Sequence, residues 1–244
     1  QIILIPHIIP TQPILIPKVG TLASFSIYGD ERVVKTATGT LYYTKDTTIQ
    51  KLRGDTFIEW SREGNRFITE DTGRRIFYRY STNDFKGLFN INAAFENRAP
   101  EKSTIEKVDF HPFDQEKILI QSAGNLYVMN TTRIELTPLL RIKTPQEKVL
   151  DWTIGDRTIY ALTEKSVPQK EYALMSSNLI LGTENVAATF TLPEPPRAFI
   201  ASPSHTRFAI ITEHALYLID PTTTPCCKKI AENVVAATFS PDSK

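Results

Sequence analysis

Three carboxylates each stand immediately before a large aromatic residue: Glu59 before Trp60, Asp109 before Phe110 and Asp151 before Trp152. Brought together around one axis, they would line a channel able to hold a cation or a basic peptide. At the right separation they could also supply the acid and base of glycoside chemistry. Strand alternation alone could equally turn them into solvent. A second unusual stretch is Arg74-Arg75-Ile76-Phe77-Tyr78-Arg79-Tyr80, followed by Phe85, Lys86 and Phe89. Basic residues interleaved with aromatics can stack the bases of single-stranded nucleic acid. On a strand, the same residues are arginine stems covering apolar neighbours. Arg74, Arg75, Arg79, Phe85 and Phe89 are therefore candidates for a binding rim.

Other chemistries find no foothold. His7, His111, His205 and His214 show no metal-ligand spacing, so no metal is expected. Cys226 and Cys227 are adjacent, where a disulfide would be strained, and they read as reduced thiols in a turn after Pro225. The sequence contains no G-x-S-x-G elbow, P-loop or dinucleotide fingerprint, so neither a cofactor nor a catalytic residue is assigned and the expectation is a protein that is not an enzyme. Asn130-Thr131-Thr132 matches a glycosylation sequon, a triplet common by chance. Leu192-Pro193-Glu194-Pro195-Pro196-Arg197 reads as a rigid extended connector.

The chain has 244 residues, 41% hydrophobic and 23% charged, a composition that excludes disorder, collagen and a small disulfide scaffold. Its 28 Lys and Arg balance 27 Asp and Glu, leaving no field of one sign for nucleic acid or an anionic membrane. No nucleic-acid partner is expected. The most apolar stretch, Gln1 to Pro17, is broken by Pro6, Pro10, Pro13 and Pro17, which would leave backbone groups unpaired in lipid, so no membrane insertion is expected. Residues 1–19 read as a linker or a closing strand, with Ile2–Ile5 and Ile14–Ile16 as candidate partners for the last repeat.

The elements that must position these residues repeat along the chain. Phe25-Ser26-Ile27-Tyr28-Gly29-Asp30-Glu31-Arg32-Val33-Val34 aligns with Trp60-Ser61-Arg62-Glu63-Gly64-Asn65-Arg66-Phe67-Ile68: an aromatic anchor, Ser, two variable residues, Gly, a polar residue and Arg, then apolar residues. Weaker copies start at Phe110, Trp152, Phe199 and Phe239, giving steps of 35, 50, 42, 47 and 40 residues. A turn and a β-branched run follow each anchor. A third strand then reads Gly39–Tyr43, Arg75–Tyr78, Gly124–Val128 and His214–Leu218, with Asn178–Ile180 as its remnant in the fourth unit. His111 and His205 fall in inter-strand turns. The connection from Phe85 to Lys107 is longer than such a unit needs and suggests a surface insertion. With Gly at only 10 of 244, Asn, Asp and Pro must serve many of the turns.

Units of this length with four short strands are the signature of a β-propeller. The expected fold is all-β, a propeller of about six four-stranded blades over residues 20–244. The last blade is incomplete, with a lone strand around Ala236–Ser240. The C-terminal Phe239-Ser240-Pro241-Asp242-Ser243-Lys244 is similar to the Phe-Ser-Pro-Asp-Gly-Lys repeat of WD40-like propellers, as in the bacterial translocation protein TolB and prolyl-oligopeptidase-type peptidases. That resemblance implies a bacterial protein on the exported side of the cell, periplasmic or extracellular. The peptidase triad domain has no counterpart here, and the chain reads as part of a larger protein. The functional expectation is a non-catalytic binding or scaffolding propeller of the cell envelope with protein partners. The rivals are a propeller glycoside hydrolase or lyase using Glu59, Asp109 and Asp151, and a regulatory propeller of a larger peptidase.

Overall fold

The computed structural model describes residues 22–29, 31–45, 48–54, 56–62, 64, 66–71, 76–80, 88–99, 104–140, 146–166 and 170–241. They form five four-stranded antiparallel sheets, each wound so that sequential strands are neighbours. Sheet I holds β1 (Leu22–Tyr28), β2 (Glu31–Thr36), β3 (Leu41–Lys45) and β4 (Thr48–Lys51). Sheet II holds β5 (Thr56–Trp60), β6 (Arg66–Glu70), β7 (Ile76–Tyr80) and β8 (Leu88–Asn90), followed by the short helix α1 (Ile91–Glu96). Sheet III holds β9 (Ile105–Phe110), β10 (Lys117–Ser122), β11 (Asn125–Asn130) and β12 (Glu135–Leu140). Sheet IV holds β13 (Glu147–Ile154), β14 (Thr158–Lys165), β15 (Glu171–Asn178) and β16 (Glu184–Phe190). Sheet V holds β17 (Ala198–Ala201), β18 (Phe208–Ile211), β19 (Ala215–Ile219) and β20 (Cys227–Glu232). The chain divides between Asn92 and Ala93 into two compact units, sheets I and II in the first and III to V in the second.

Each of the first five anchors lies on the first strand of its sheet: Phe25, Trp60, Phe110, Trp152 and Phe199. The turn after the anchor explains the rest of the repeat. Ser61 N donates to Arg66 O at 2.8 Å, Ser61 Oγ accepts from Arg66 N at 3.1 Å, and Gly64 N donates to Ser61 O at 2.8 Å. Ser202, His205 and Arg207 reproduce this geometry at 2.8, 3.1 and 2.8 Å. Ser is thus required to satisfy the amide that begins the second strand. The Gly position needs a left-handed backbone: φ is +68° at Gly64 and +53° at His205, where an L side chain takes the glycine's place. At Gly64 a Cβ would also meet the Tyr28 ring at 1.8 Å.

Several expectations are corrected. The shortage of glycine is met in part by Ala123, Ile134 and His205 at positive φ as well as by Asn233, so strain is tolerated where Asn, Asp or Pro was anticipated. In sheet IV the third strand is β15, eight residues paired along the whole of β14, and Asn178–Ile180 belongs to its end and the following turn. The Phe85–Lys107 connection is no open surface insertion over its described part: it contains β8 and α1, and Ile91 and Phe95 are fully buried, Phe95 edge-on to Tyr127. Around Ala236–Ser240 there is no strand, because a strand needs a hydrogen-bonding neighbour and none lies there among the described residues. Phe239 instead lines a cavity of about 200 Å³ with Ile200, Leu216, Leu218 and Ile230 on sheet V. The N-terminal residues 1–19, including Ile2–Ile5 and Ile14–Ile16, lie outside the described residues.

Sheet faces bury against one another within each unit. In the first, Val33, Leu41, Tyr43, Leu52 and Phe67 form one cluster against Phe57 and Trp60. In the second, Leu119, Leu126, Leu140, Val149, Trp152, Ile159 and Ala161 join sheets III and IV. A further cluster, including Leu162, Tyr172, Leu174, Phe208, Ile210 and Tyr217, joins IV and V.

Candidate functional site

The three acids hold one register. Glu59 pairs with Ile68, Asp109 with Leu119 and Asp151 with Leu162, each on the terminal strand of its sheet immediately before its anchor. A bulge precedes the acid in two sheets, with Ile58 and Leu150 as the extra residues, and in β9 it falls at Glu106. A bulge bends the strand and re-aims the side chains next to it. In the second unit both acids use one oxygen in the same way. Asp109 Oδ1 accepts from Phe110 N at 2.7 Å, and Asp151 Oδ1 from Trp152 N at 2.8 Å. This ties each carboxylate to the backbone of its anchor and fixes its side-chain rotamer. Glu59, in the first unit, is half-buried.

Lys107 makes the two aspartates unequal. Its ammonium donates to Asp151 Oδ1 at 2.7 Å and to the Trp152 carbonyl at 2.6 Å, and lies 4.5 Å from the centre of a Trp152 ring. The side chain thus crosses from sheet III to the free edge of β13 and offsets the charge of Asp151. Asp109, on the same strand face as Lys107, has no cation partner among the described residues. The site therefore carries two carboxylates and one ammonium on neighbouring first strands.

Sequence reasoning missed Lys107, and it also missed a row of residues two positions beyond the partner of the acid. These are Glu70, Gln121, Glu164 and, in sheet V, Glu213. A Glu or Gln ten to fourteen residues after the anchors Trp60, Phe110, Trp152 and Phe199 was the available signal. Gln121, buried, donates from Nε2 to Val149 O at 3.2 Å, Leu150 O at 3.3 Å and Glu106 Oε2 at 3.1 Å, latching sheet III to β13. Glu164 cannot donate. It is buried between Lys148 and Lys170 at 3.5 and 3.6 Å and accepts from Ser166, and although burial opposes its charge, these partners hold its carboxyl below the usual range. Burial, together with Glu164, pushes the Tyr172 hydroxyl up to about 12.

Among the described residues, no three His, Cys, Asp or Glu side chains gather as a metal would require. His111 is buried in the sheet III turn, and burial, then Lys117, lowers its pKa against the opposing pull of Asp114. His205 stacks on Tyr160 at 5.9 Å. His214 Nδ1 lies 2.7 Å from Glu194 Oε1, and its amide donates to Glu194 Oε2 at 3.0 Å, which pins the Pro-rich connector to the β18–β19 turn. Both cysteines are free thiols, and burial with the neighbouring Cys226 pushes Cys227 up to about 11. Of the rim candidates, Arg74, Arg75 and Phe85 lie outside the described residues. Arg79 belongs to β7, the third strand of its sheet, and Phe89 is half-buried on β8. Among the described residues no helix is long and apolar enough to cross a membrane.

No protein-family model matches the chain, and no curated protein sequence is similar to it. Solved structures are. The β-propeller domain of Cps50 (Swd1) from Myceliophteria thermophila aligns at a TM-score of 0.53 and 12% identity, covering 92% of this chain and 69% of that one. An oligogalacturonate lyase from Vibrio parahaemolyticus aligns at 0.60 and 8% identity, over 88% and 69%. A putative 6-phosphogluconolactonase from Bacteroides uniformis aligns at 0.50 and 13% identity, over 86% and 70%. At such identities the likeness shows the fold: the chain is an all-β, β-propeller protein. It also overturns the expectation of a non-catalytic binding or scaffolding module. That expectation rested on the fold and on missing motifs, and the same fold likeness extends to a lyase and a putative lactonase on equal terms.

Proposed function

We propose that this propeller acts on a saccharide at the neighbouring first strands of sheets III and IV, with Asp109 and Asp151 as the acid and base. The carrying observation is their shared construction, with each carboxylate anchored by the amide of its own aromatic and Lys107 bridging the two strands. Glycosidic bond cleavage needs two positioned carboxylates, one to protonate the leaving oxygen and one to activate water or attack. Locked rotamers lower the cost of positioning them. Two of the similar structures carry the names oligogalacturonate lyase and putative 6-phosphogluconolactonase, which supports the saccharide reading.

The test is a turnover screen against neutral, amino and uronic oligosaccharides, with Asp109→Asn as control. Cleavage that falls at least a hundredfold in the variant supports the reading, in line with general acid–base contributions of about 10²–10⁴. Cleavage unaffected by the substitution, or no cleavage and no saccharide binding, refutes it.

A protein partner is the second reading, favoured by the β15–β16 turn. Asn178 Oδ1 accepts from the amides of Ile180 and Leu181, both at 2.9 Å, and holds these two side chains 61% and 73% exposed. Two adjacent exposed aliphatics on a hydrogen-bonded turn are apolar surface that a protein partner could cover.

A further inference from the structure

We infer that Asp151 is a specificity-determining residue that masks Lys107, so that the site takes a neutral or amine-bearing saccharide and rejects a uronate. The inference rests on the saccharide reading above and deepens it. An acidic sugar needs an available cation to accept its carboxylate. Lys107 is the cation of this site, and its ammonium already serves Asp151 Oδ1 at 2.7 Å, the Trp152 carbonyl at 2.6 Å and the Trp152 ring. Its side chain is 40% exposed and that of Asp151 is 35% exposed, so a ligand that reaches one also meets the other.

Asp109 adds a second negative charge on the strand face of Lys107, so the three side chains sum to −1. A ligand carboxylate approaching the remaining N–H of Lys107 enters that negative field. A hydroxyl group accepts the same N–H and donates to Asp109 without the repulsion, and an ammonium group gains from it. The Trp152 ring, buried beneath the lysine, backs its ammonium and offers no face to a ligand. Asp151 thus acts through Lys107 on ligand choice, in addition to whatever chemistry its own carboxylate performs.

The closing experiment is calorimetric titration of the whole protein with trigalacturonate and with its uncharged galactose counterpart, in wild type and in Asp151→Asn. The amide keeps an acceptor for Trp152 N while removing the charge, and at a half-exposed position it is expected to fold. Asp109→Asn, which leaves the Lys107 contacts in place, provides a second variant with the same change in charge. Wild type is expected to bind the neutral trimer at least about tenfold more tightly, a difference of about 1.4 kcal/mol. Both variants should close or reverse that gap by gaining affinity for the uronate. Equal wild-type affinity for the two trimers overturns the masking while leaving the saccharide reading intact. A wild-type preference for the neutral trimer that both variants retain also overturns it. Binding of neither trimer by any of the three proteins removes the saccharide reading and the masking together.

Discussion

The seam between sheets III and IV and the seam between IV and V are built from one repeat and held by different forces. Between III and IV the connections are directional. Gln121 reaches two carbonyls of β13, Val149 N donates to Gly124 O at 2.6 Å, and Lys107 spans to Asp151 and Trp152. Between IV and V the contact is a stack of rings. Tyr160 of sheet IV lies 5.0 Å from Phe208 and 5.9 Å from His205, and within sheet V Phe199 backs Phe208 as a parallel ring at 5.5 Å. A polar link across this seam runs from the Cys226 thiol to the Thr189 carbonyl and is 3.4 Å long. Apolar burial is non-directional and tolerates ring-for-ring exchange, whereas hydrogen bonds fix register and leave charged groups at the rim. The polar seam is accordingly where a ligand site can be built, and the aromatic seam is structural.

The largest test of that contrast truncates one large buried ring of each seam. Trp152→Ala and Phe208→Ala, at positions 2% and 1% exposed, should each cost about 3–5 kcal/mol in urea unfolding. A much smaller loss at Trp152 would show that the polar struts, rather than the ring, hold the first seam. Next in size is Gln121→Leu, which leaves the Val149 and Leu150 carbonyls without their side-chain donor; a loss of about 1–3 kcal/mol is expected. Amide exchange should quicken along β13 and not along β17, and equal quickening on both strands would erase the distinction.

Smaller still is His205→Gly in the aromatic seam. Relief of a left-handed backbone, about 1–2 kcal/mol, offsets a lost stacking contact of about 0.5–1.5 kcal/mol, so the melting temperature should barely move. The least effect is pH-dependent and local to sheet III. Burial depresses the pKa of His111, so the unfolded chain binds more protons than the folded one just below the ordinary histidine value of about 6.5. The associated stability is complete above that value and is lost as pH falls through the lower folded-state value. His111→Asn should flatten this slope in pH-dependent unfolding, and an unchanged slope would assign it elsewhere.

Much of the fold was legible because the repeat encodes it locally. Ser61 and Ser202 are placed by a turn that needs a hydroxyl acceptor for the amide five residues on, and that requirement is visible as spacing. Where a turn can be closed by other means the signal fades, as at Ile134 and Ala123, whose left-handed backbones no residue preference announces. The third strand of sheet IV escaped because Glu171–Asn178 lacks the small-polar-Leu-Tyr pattern, and its identity comes from pairing along β14. The burial of Phe95 likewise depends on Tyr127, thirty-two positions away.

For the candidate site, the acids could be found from their place before an aromatic, since that is a nearest-neighbour fact. Which of them carries free charge could not. Lys107 and Asp151 are forty-four residues apart, and only the packing of sheet III on sheet IV brings the ammonium onto that carboxylate, leaving Asp109 with no cation partner among the described residues. By itself the sequence determined the strand period, the turn chemistry and the residues at each anchor, because these depend on neighbours along the chain. Tertiary structure alone decided which charges cancel, because electrostatic pairing depends on distance through space.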